Sequence, residues 1–402
     1  MKKITMKKKM MKNKNNNYNY SFSTFSGWDQ RVVKDPFIGS FLSHAYYYPA
    51  PSNLNYFWGF GSLLGIFLVI QIITGVLLAV HYTADVNSAF YSVEFIMRNV
   101  EGGWFVRYMH SSGASLLFIT LYCHILRSIY YRTFRNVTTW LTGIILFVLM
   151  MATGFLGYIL VWGQMSLWGA TVITNLFGTI PVIGDNLVVL LWGGFSVDNP
   201  TLKRFFILHF LLPFIMAALS VLHILFLHKN GSSNPVGVDA LDIVTFYPKY
   251  IIKDVFGLVF FYGLALIWLV FYNPNLLGHP DNYIMANALV TPKHITPEWY
   301  FEPFYAILRS VPDKLGGVII MGLAIAVLAY LPLIDFNITT TKFSSVSQFF
   351  FWFFVGDFLI LGWLGMCPIE DPFIVCSRIA TFLYFSYFLI ILPFFAYVES
   401  LL

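Results

Sequence analysis

Four histidines occur as two pairs, and the members of each pair are 14 residues apart within an apolar stretch. His110 pairs with His124, and His209 with His223. Fourteen residues make almost four helical turns, about 21 Å, so both members face about the same way. Two such helices side by side could hold two flat metal cofactors, each bound by one histidine from either helix. Because imidazole is a common axial ligand of haem iron, and buried ionisable groups in a membrane favour a functional role, the pattern predicts two bis-histidine haem sites.

The composition places the chain among integral membrane proteins. Of its 402 residues, 58% are hydrophobic and 11% are charged, and a membrane β-barrel would instead show alternating segments of about ten residues. We therefore expect an all-α polytopic membrane protein. The net charge of +5 does not indicate nucleic acid, since seven lysines lie within the first 14 residues. No C-x-x-C-H motif occurs, and three cysteines are too few for an iron–sulfur cluster with four cysteine ligands.

Eight apolar stretches are long enough to cross a hydrocarbon core of about 30 Å. We call them spans A to H, in chain order: 57–81, 104–131, 140–161, 200–228, 253–272, 315–335, 347–366 and 374–399. The segment 162–199 is interrupted by Gly, Pro and Asp, which favours interfacial helices over a further span. The segment 273–314 is a long, proline-containing loop, and long loops are often functional.

The path of the chain decides which histidines meet. If 162–199 does not cross the membrane, spans B and D run in the same direction, so His110 lies level with His209, and His124 with His223. Lysine and arginine in the loops favour both termini on the inner side. The end with His110 and His209 is then the outer end, and the end with His124 and His223 is the inner end.

Three regions are predicted along the chain. Residues 1–26 form a basic extension, rich in Lys and Asn, on the aqueous side. Residues 27–235 contain spans A to D, which we expect to form a di-haem four-helix bundle. Residues 236–402 contain spans E to H and the loop 273–314.

Glycines in spans A and C repeat the same spacing. A residue without a side chain lets a bulky planar ring approach the backbone, so these glycines are predicted to give room to porphyrin edges, although glycine is also common in ordinary membrane helix packing. The two pairs, each 14 residues apart, are Gly61 with Gly75 and Gly143 with Gly157.

Charged residues near the histidines are candidates for further roles. Arg107, Arg127 and Arg204 could pair with haem propionates, because the arginine fork suits carboxylates; arginine that merely flanks a span is the alternative. Glu298 lies in the sequence Pro-Glu-Trp-Tyr and could accept a proton from a weakly acidic hydroxyl if burial raises its pKa, the alternative being a solvated surface carboxylate.

A second group of charges lies at the inner end. His228 ends span D, and Lys253 and Asp254 begin span E. Facing an apolar cavity, they could pass protons to a reduced substrate. Helix-end capping and interfacial charge are the alternative.

Together these features resemble the cytochrome b family, the membrane core of the mitochondrial-type cytochrome bc complex (respiratory complex III). The resemblance extends over about residues 27–400. Its most specific part is the histidine tetrad combined with Pro-Glu-Trp-Tyr. The similar stretches are FGSLLGIFLVIQIITGVLLAVHYTAD, RYMHSSGASLLFITLYCHILR, GQMSLWGATVITN, LHFLLPFIMAALSVLHILFLHKNGSSNP and TPEWYF with FYAILRSVP.

The resemblance implies a proton-translocating ubiquinol–cytochrome c oxidoreductase. It implies two haem b groups, the low-potential haem on His110 and His209 and the high-potential haem on His124 and His223. Quinol would be oxidised at the outer end, where Glu298 and Tyr305 match the family's site with Tyr158 nearby. One electron would go to the Rieske iron–sulfur protein and on to a cytochrome c-type subunit, and the other would cross both haems.

At the inner end the resemblance implies reduction of a quinone. The matching residues are His228, Ser232, Lys253 and Asp254. Other complex III subunits and a homodimer of the complex are further implied partners. The implied location is the mitochondrial inner membrane with both termini on the matrix side, the alternative being a bacterial plasma membrane. The two-chain chloroplast version is disfavoured, because it has one more residue between its second pair of histidines.

Three positions depart from the family's pattern. Val161 stands where Pro is usual, Gly59 where Asn is usual, and Glu302 where an apolar residue is usual. Two other functions compete with this interpretation: a di-haem cytochrome without a quinol-oxidising pocket, and a transporter whose histidines relay protons.

Overall fold

Within the part of the chain that the structure describes, eight helices are long and apolar enough to cross a membrane. The computed structural model describes residues 35–334 and 338–401, so the predicted extension 1–26 lies outside the described part. The helical fold is confirmed, and the observed bounds differ from the predicted ones by no more than four residues. Spans A to H are Tyr56–Ala79, Gly103–Tyr130, Val137–Ile159, Asn199–Asn230, Lys249–Tyr272, Lys314–Leu333, Ser345–Met366 and Phe373–Leu401.

Several spans combine more than one kind of helix. Span A opens with a 3-10 turn before its α-helix, span F closes with one, and spans E and H contain π-helical turns. Their segments are Tyr56–Gly59 and Phe60–Ala79 in span A; Lys249–Gly257, Leu258–Gly263, Leu264–Ile267 and Trp268–Tyr272 in span E; Lys314–Tyr330 and Leu331–Leu333 in span F; Phe373–Ser386, Tyr387–Ile391 and Leu392–Leu401 in span H.

The remaining elements are short. Two strands, Pro49–Pro51 and Ile243–Thr245, pair with each other. The helices and 3-10 turns outside the spans are Pro36–Ala45, Ala89–Asn99, Thr133–Arg135, Gln164–Asn175, Leu176–Thr179, Gly184–Trp192, Pro280–Tyr283 and Glu302–Ser310.

Side-chain caps set several helix boundaries. Asp198 and Thr201 form a reciprocal capping box at the start of span D, which satisfies donors that the first helical turn leaves unpaired. The Asp313 carboxylate accepts a hydrogen bond from the Gly316 backbone N–H at the start of span F, at 2.6 Å. Gly231 follows span D with a φ of +82°, a conformation that costs glycine little. These local signals mark both ends of span D and the start of span F.

The segment 162–199 does not cross a membrane, as the sequence predicts. Its two α-helices, Gln164–Asn175 and Gly184–Trp192, have 12 and 9 residues, about 18 and 14 Å long, and so are too short for a core of about 30 Å. The segment is tied to the loop 273–314. The Asn282 side-chain oxygen accepts hydrogen bonds from both the backbone N–H and the hydroxyl of Ser166, at 2.9 Å each.

The C-terminal spans are joined by polar contacts to main-chain carbonyls. The Trp140 indole of span C donates to the Leu328 carbonyl of span F at 2.7 Å, and the Tyr384 hydroxyl of span H donates to the Ala324 carbonyl at 2.7 Å. Each bond satisfies a buried donor in an apolar setting, where an unpaired one would be costly. Spans C, F and H are thereby held in register.

Two compact units are recognised in the chain. The smaller comprises the described residues up to Ala50 together with Ile243–Ile252, and the larger comprises Pro51–Asp242 and Lys253–Leu402. All the residues discussed below belong to the larger unit. The predicted division at residues 26/27 and 235/236 stays a prediction.

Candidate functional site

The four histidines meet in the pairs that the sequence predicts. The ring centres of His110 and His209 are 6.2 Å apart, and those of His124 and His223 are 6.4 Å apart. We call these the outer and inner histidine pairs. This pairing requires spans B and D to run in the same direction. A metal ion about 2 Å from each imidazole nitrogen, with each ring centre about 1 Å beyond, needs ring centres roughly 6 Å apart. Both pairs therefore fit bis-histidine ligation.

Three of the four imidazoles are anchored through Nδ1 by a threonine. The hydroxyls of Thr74 and Thr142 lie 2.9 and 3.0 Å from Nδ1 of His110 and His223, and the Thr153 carbonyl lies 2.9 Å from Nδ1 of His209. An anchored Nδ1 fixes the ring orientation and leaves Nε2 as the ligating atom, the arrangement found around protein-bound metals. The histidine spacing gives no indication of these threonines. A Thr-Gly dipeptide at 74–75 and again at 142–143 was the available signal.

The predicted glycines lie directly against the histidine rings. A Cβ atom added to Gly75 or Gly157 would lie 3.1 or 2.5 Å from Cε1 of the facing outer histidine. The corresponding distances for Gly61 and Gly143, at the inner pair, are 3.4 and 3.2 Å. The immediate reason for glycine is thus the imidazole itself. Room for a porphyrin edge stays a prediction.

Arg127 lies beside the inner histidine pair. Its Nη2 is 3.3 Å from Nδ1 of His124, and its guanidinium lies over the Trp58 ring at 5.3 Å. The Nε of Arg127 and the indole N–H of Trp58 are both buried and have no hydrogen-bond partner among the described residues. Because such unpaired donors are costly, they point to an acceptor that binds there, and a carboxylate fits a guanidinium best.

The other two arginines have different surroundings. Arg107 lines the cavity at the outer histidine pair. Arg204 instead donates through Nη1 to the Leu190 carbonyl at 2.6 Å, at the end of the helix Gly184–Trp192. Its guanidinium thus satisfies carbonyls that the helix end leaves unpaired. The propionate role of Arg204 stays a prediction, without support from these contacts.

A cavity of about 550 Å³ adjoins the outer histidine pair. Besides both histidines, its walls include Glu298, Tyr158 and Val161, one of the departures from the family pattern. Two of the three predicted outer-end residues, Glu298 and Tyr158, therefore share one space. Tyr305 is not among the residues that line it; its hydroxyl donates to the Ile295 carbonyl at 3.3 Å.

Aromatic contacts with span B hold Glu298 at this cavity. The Tyr300 ring stacks on Phe118 with centres 4.0 Å apart, and the Tyr122 hydroxyl donates to the Tyr300 carbonyl. The Trp299 indole donates to the Ser115 hydroxyl at 3.1 Å. The two residues after Glu298 are thus fixed to one helix, which restricts where its carboxyl can point.

Burial raises the pKa of Glu298 to about 7. The nearby Tyr158 hydroxyl and the Arg107 guanidinium act in the opposite direction, but loss of solvation is the larger effect. No described residue completes a hydrogen bond with the buried Tyr158 oxygen, so Tyr158 approaches Glu298 without fully stabilising the carboxylate. A carboxyl with a pKa near neutrality can both take up and release a proton at physiological pH.

The predicted inner-end residues lie at the end of span D and near the start of span E. His228 is in the last turn of span D, and Ser232 follows it. The Lys253 ammonium donates to the Leu54 carbonyl at 2.8 Å and lies over the Tyr56 ring at 4.9 Å. The Asp254 carboxylate lies 3.0 Å from where a Cβ of Gly59 would be. The departure at Gly59 therefore gives Asp254 room to approach the start of span A.

Comparison with known proteins identifies relatives over most of the chain. Family models described as "Cytochrome b/b6/petB" and "Cytochrome b(C-terminal)/b6/petD" match residues 45–231 and 285–385. The chain is 50% identical to a cytochrome b of Chondrus crispus, over 92% of this chain and 98% of that protein. It is 54% identical to a cytochrome b of Rickettsia prowazekii, over 89% and 91%.

A solved structure agrees with these sequence matches. The fold is similar to a chain of a hyperthermophilic respiratory Complex III, with a TM-score of 0.84 and 28% identity. The similarity covers 92% of this chain and 99% of that chain.

Proposed function

The chain belongs to the cytochrome b family, the core redox subunit of complex III, and from this premise we propose that it oxidises quinol at the outer end and reduces quinone at the inner end. Membership also implies haem b and assembly with other subunits of the complex. It favours electron transfer over the alternative of a proton-relaying transporter.

We propose two haem b groups, one at each histidine pair. The observation that carries this proposal is the separation of the ring centres, 6.2 and 6.4 Å, with a glycine behind every ring. His110 and His209 would hold the outer haem, and His124 and His223 the inner one. When bound, each haem would supply a centre that takes up and passes on one electron.

At the inner haem, His124 and Arg127 have linked roles. Ligation through Nε2 requires the proton of His124 on Nδ1, and a guanidinium can only donate. The Nη2 of Arg127 would therefore have to move away from Nδ1 of His124 when His124 ligates the haem iron. A propionate accepting from Arg127 Nε and Trp58 would satisfy both unpaired donors.

At the outer end, the cavity is the proposed quinol-oxidation site. Glu298 faces this space with a pKa of about 7, so it can accept a proton from a bound quinol hydroxyl. Tyr158 is positioned to orient that hydroxyl. Tyr305 would act from outside the cavity wall, by holding the backbone at Ile295.

At the inner end, His228, Ser232, Lys253 and Asp254 are the proposed quinone-binding residues. Histidine, ammonium and carboxyl groups can supply the two protons that quinone reduction consumes. Proton release at the outer end and uptake at the inner end would make the cycle proton-translocating.

The expected partners and location follow from this assignment. The Rieske iron–sulfur protein would take one electron and pass it to a cytochrome c-type subunit, within a homodimeric complex. We propose the mitochondrial inner membrane with both termini on the matrix side. The similarity to bacterial proteins keeps a bacterial plasma membrane as the alternative.

Quinol-driven reduction of haem tests the proposal. The complex containing this chain is purified, a quinol is added, and b-type absorption bands and cytochrome c reduction are recorded. The absorption bands should show that quinol reduces the b-type haems, and cytochrome c should be reduced as well. A complex with b-type bands that quinol does not reduce would contradict quinol oxidation while leaving haem binding intact.

A further inference from the structure

Glu302 is a buried carboxyl that the proposed mechanism does not use. It is only 1% exposed and is the first residue of the helix Glu302–Ser310. Its Oε2 atom is buried, and no residue in the described part of the chain forms a hydrogen bond with it. Fully buried glutamate is rare unless it is paired, so this residue calls for a specific reason.

The end of span G is shaped to receive this carboxyl. A Cβ on Gly365 would lie within 2.8 Å of three Glu302 atoms, the backbone oxygen, Oε2 and Cβ. Any larger residue would displace the carboxyl. The Arg309 guanidinium donates to the carbonyls of Leu364 and Gly365 at 2.8 Å and of Cys367 at 3.2 Å. The Glu302 carboxyl and the Arg309 guanidinium thus both lie at the C-terminal end of span G. The distribution of Lys and Arg in the loops predicts that this end is on the outer side.

Glu302 follows Glu298 by four residues through a tight turn. The Phe301 N–H donates to the Glu298 carbonyl at 2.8 Å, and the Glu302 N–H donates to the Trp299 carbonyl at 3.3 Å. This turn carries the chain from the cavity to the end of span G. The described titratable or charged groups that act on the carboxyl of Glu302 or respond to it are Glu298, Tyr305, Arg309 and Cys367.

The proton affinities of the two carboxyls are well matched. Burial raises the pKa of Glu302 to about 8; Arg309 lowers it, and the charge of Glu298 adds to the rise. Glu298 has a pKa of about 7. Groups with nearby pKa values exchange a proton at little cost in either direction, and they titrate as a coupled pair.

We propose that Glu302 is a relay residue that carries protons from Glu298 towards the outer face. This inference rests on the proposed function. Glu298 takes a proton from the quinol and passes it to the carboxylate of Glu302. Glu302 then releases the proton past the half-buried Arg309 to outer water. One O–H bond breaks and one forms at each transfer, and no electron moves.

The test compares pH profiles of quinol–cytochrome c turnover in the assembled complex. The wild type should gain activity with rising pH in two steps, near 7 and near 8. Glu302→Gln keeps the size of the side chain but cannot carry the proton. It should lower turnover roughly 100-fold and remove the upper step, with haem spectra unchanged. Glu302→Asp should restore the upper step in part.

Two further variants keep the test decisive. Glu302→Leu should fold, because an apolar side chain suits this buried position, and it should also lack the upper step. Glu101→Gln, an exposed outer-end carboxyl, serves as the matched control and should retain both steps. A purely structural role would lower turnover at every pH and leave both steps in place.

The outcomes separate the two proposals. If Glu298→Gln slows turnover while Glu302→Gln retains both steps, the relay is overturned and the proposed function stands. If the wild-type complex shows no quinol-dependent turnover, both are overturned. Loss of the upper step in Glu302→Gln and Glu302→Leu, but not in Glu101→Gln, supports the relay.

Discussion

The outer and inner histidine pairs share one geometry in two different settings. Both have ring centres slightly over 6 Å apart, and a glycine faces each ring. The outer pair adjoins a large cavity with a carboxyl whose pKa is near neutrality. The inner pair adjoins an arginine and an indole whose buried N–H groups find no acceptor in residues 35–334 and 338–401. The lesson is that the 14-residue repeat places equivalent histidines at both ends, while the surroundings differ because a loop supplies Glu298 at the outer end and spans A and B supply Trp58 and Arg127 at the inner end.

Removing one ligand at each end should have the largest effect. His209→Leu should abolish the outer haem alone and His223→Leu the inner haem alone, because each iron would lose half of its axial ligation. Optical spectra of the purified complexes, with haem counted per chain, would measure this. Retention of two haems in either variant would show that the pair does not ligate iron.

Removing the carboxyl of Glu298 should affect only the outer end. Glu298→Gln should slow quinol oxidation by about 10²-fold or more, since a positioned proton acceptor contributes on that scale, while both haems remain bound. In the wild type, acceptance requires the carboxylate. Turnover should therefore fall as pH decreases through about 7, the pKa of Glu298. Equal turnover in variant and wild type across this range would remove Glu298 from the mechanism.

Adding one methyl group to a glycine should lower stability more at the outer end than at the inner end. The space is tighter at Gly157, where a Cβ would lie 2.5 Å from the facing ring, than at Gly143, where the distance is 3.2 Å. Gly157→Ala should therefore destabilise the complex by about 1–3 kcal/mol, and Gly143→Ala by less. Thermal denaturation followed through the haem bands would compare them. A larger loss in Gly143→Ala would reverse the order expected from packing.

Removing a threonine hydroxyl should have the smallest effect, confined to one haem. Thr74→Val deletes the contact with Nδ1 of His110, and Thr142→Val the contact with Nδ1 of His223. A single hydrogen bond contributes about 0.5–1.5 kcal/mol net, so each variant should keep both haems. Thr74→Val should shift only the outer midpoint potential and Thr142→Val only the inner one. A shift in the midpoint potential of the other haem would show that the two threonines do not act on their own histidines independently.

Periodicity was enough to predict the fold and the pairing. Apolar stretches of sufficient length define the spans, and recognising 162–199 as too broken to cross sets spans B and D in the same direction. The histidine pairs then follow from the 14-residue spacing together with this chain path. Each of these inferences depends on residues close together in the chain, which is why the sequence carries them.

Side-chain direction and long-range contacts could not be predicted. Arg204 lies near His209 in sequence, yet its guanidinium turns to the Leu190 carbonyl. The burial of Glu302 depends on Gly365, which is distant in the chain and gives no signal at position 302. In the sequence, Thr74 and Thr142 look like ordinary threonines of membrane helices. Their role becomes visible only from their contacts with the histidines. Such features depend on packing between elements and become visible only in three dimensions.

The most direct test of the two-haem account is a potentiometric titration of the optical spectrum of the intact complex. Two b-type species should appear, each taking up one electron and with distinct midpoint potentials, because identical ligand pairs lie in different electrostatic surroundings. A single b-type species, or none, in a complex with all four histidines present would contradict the account.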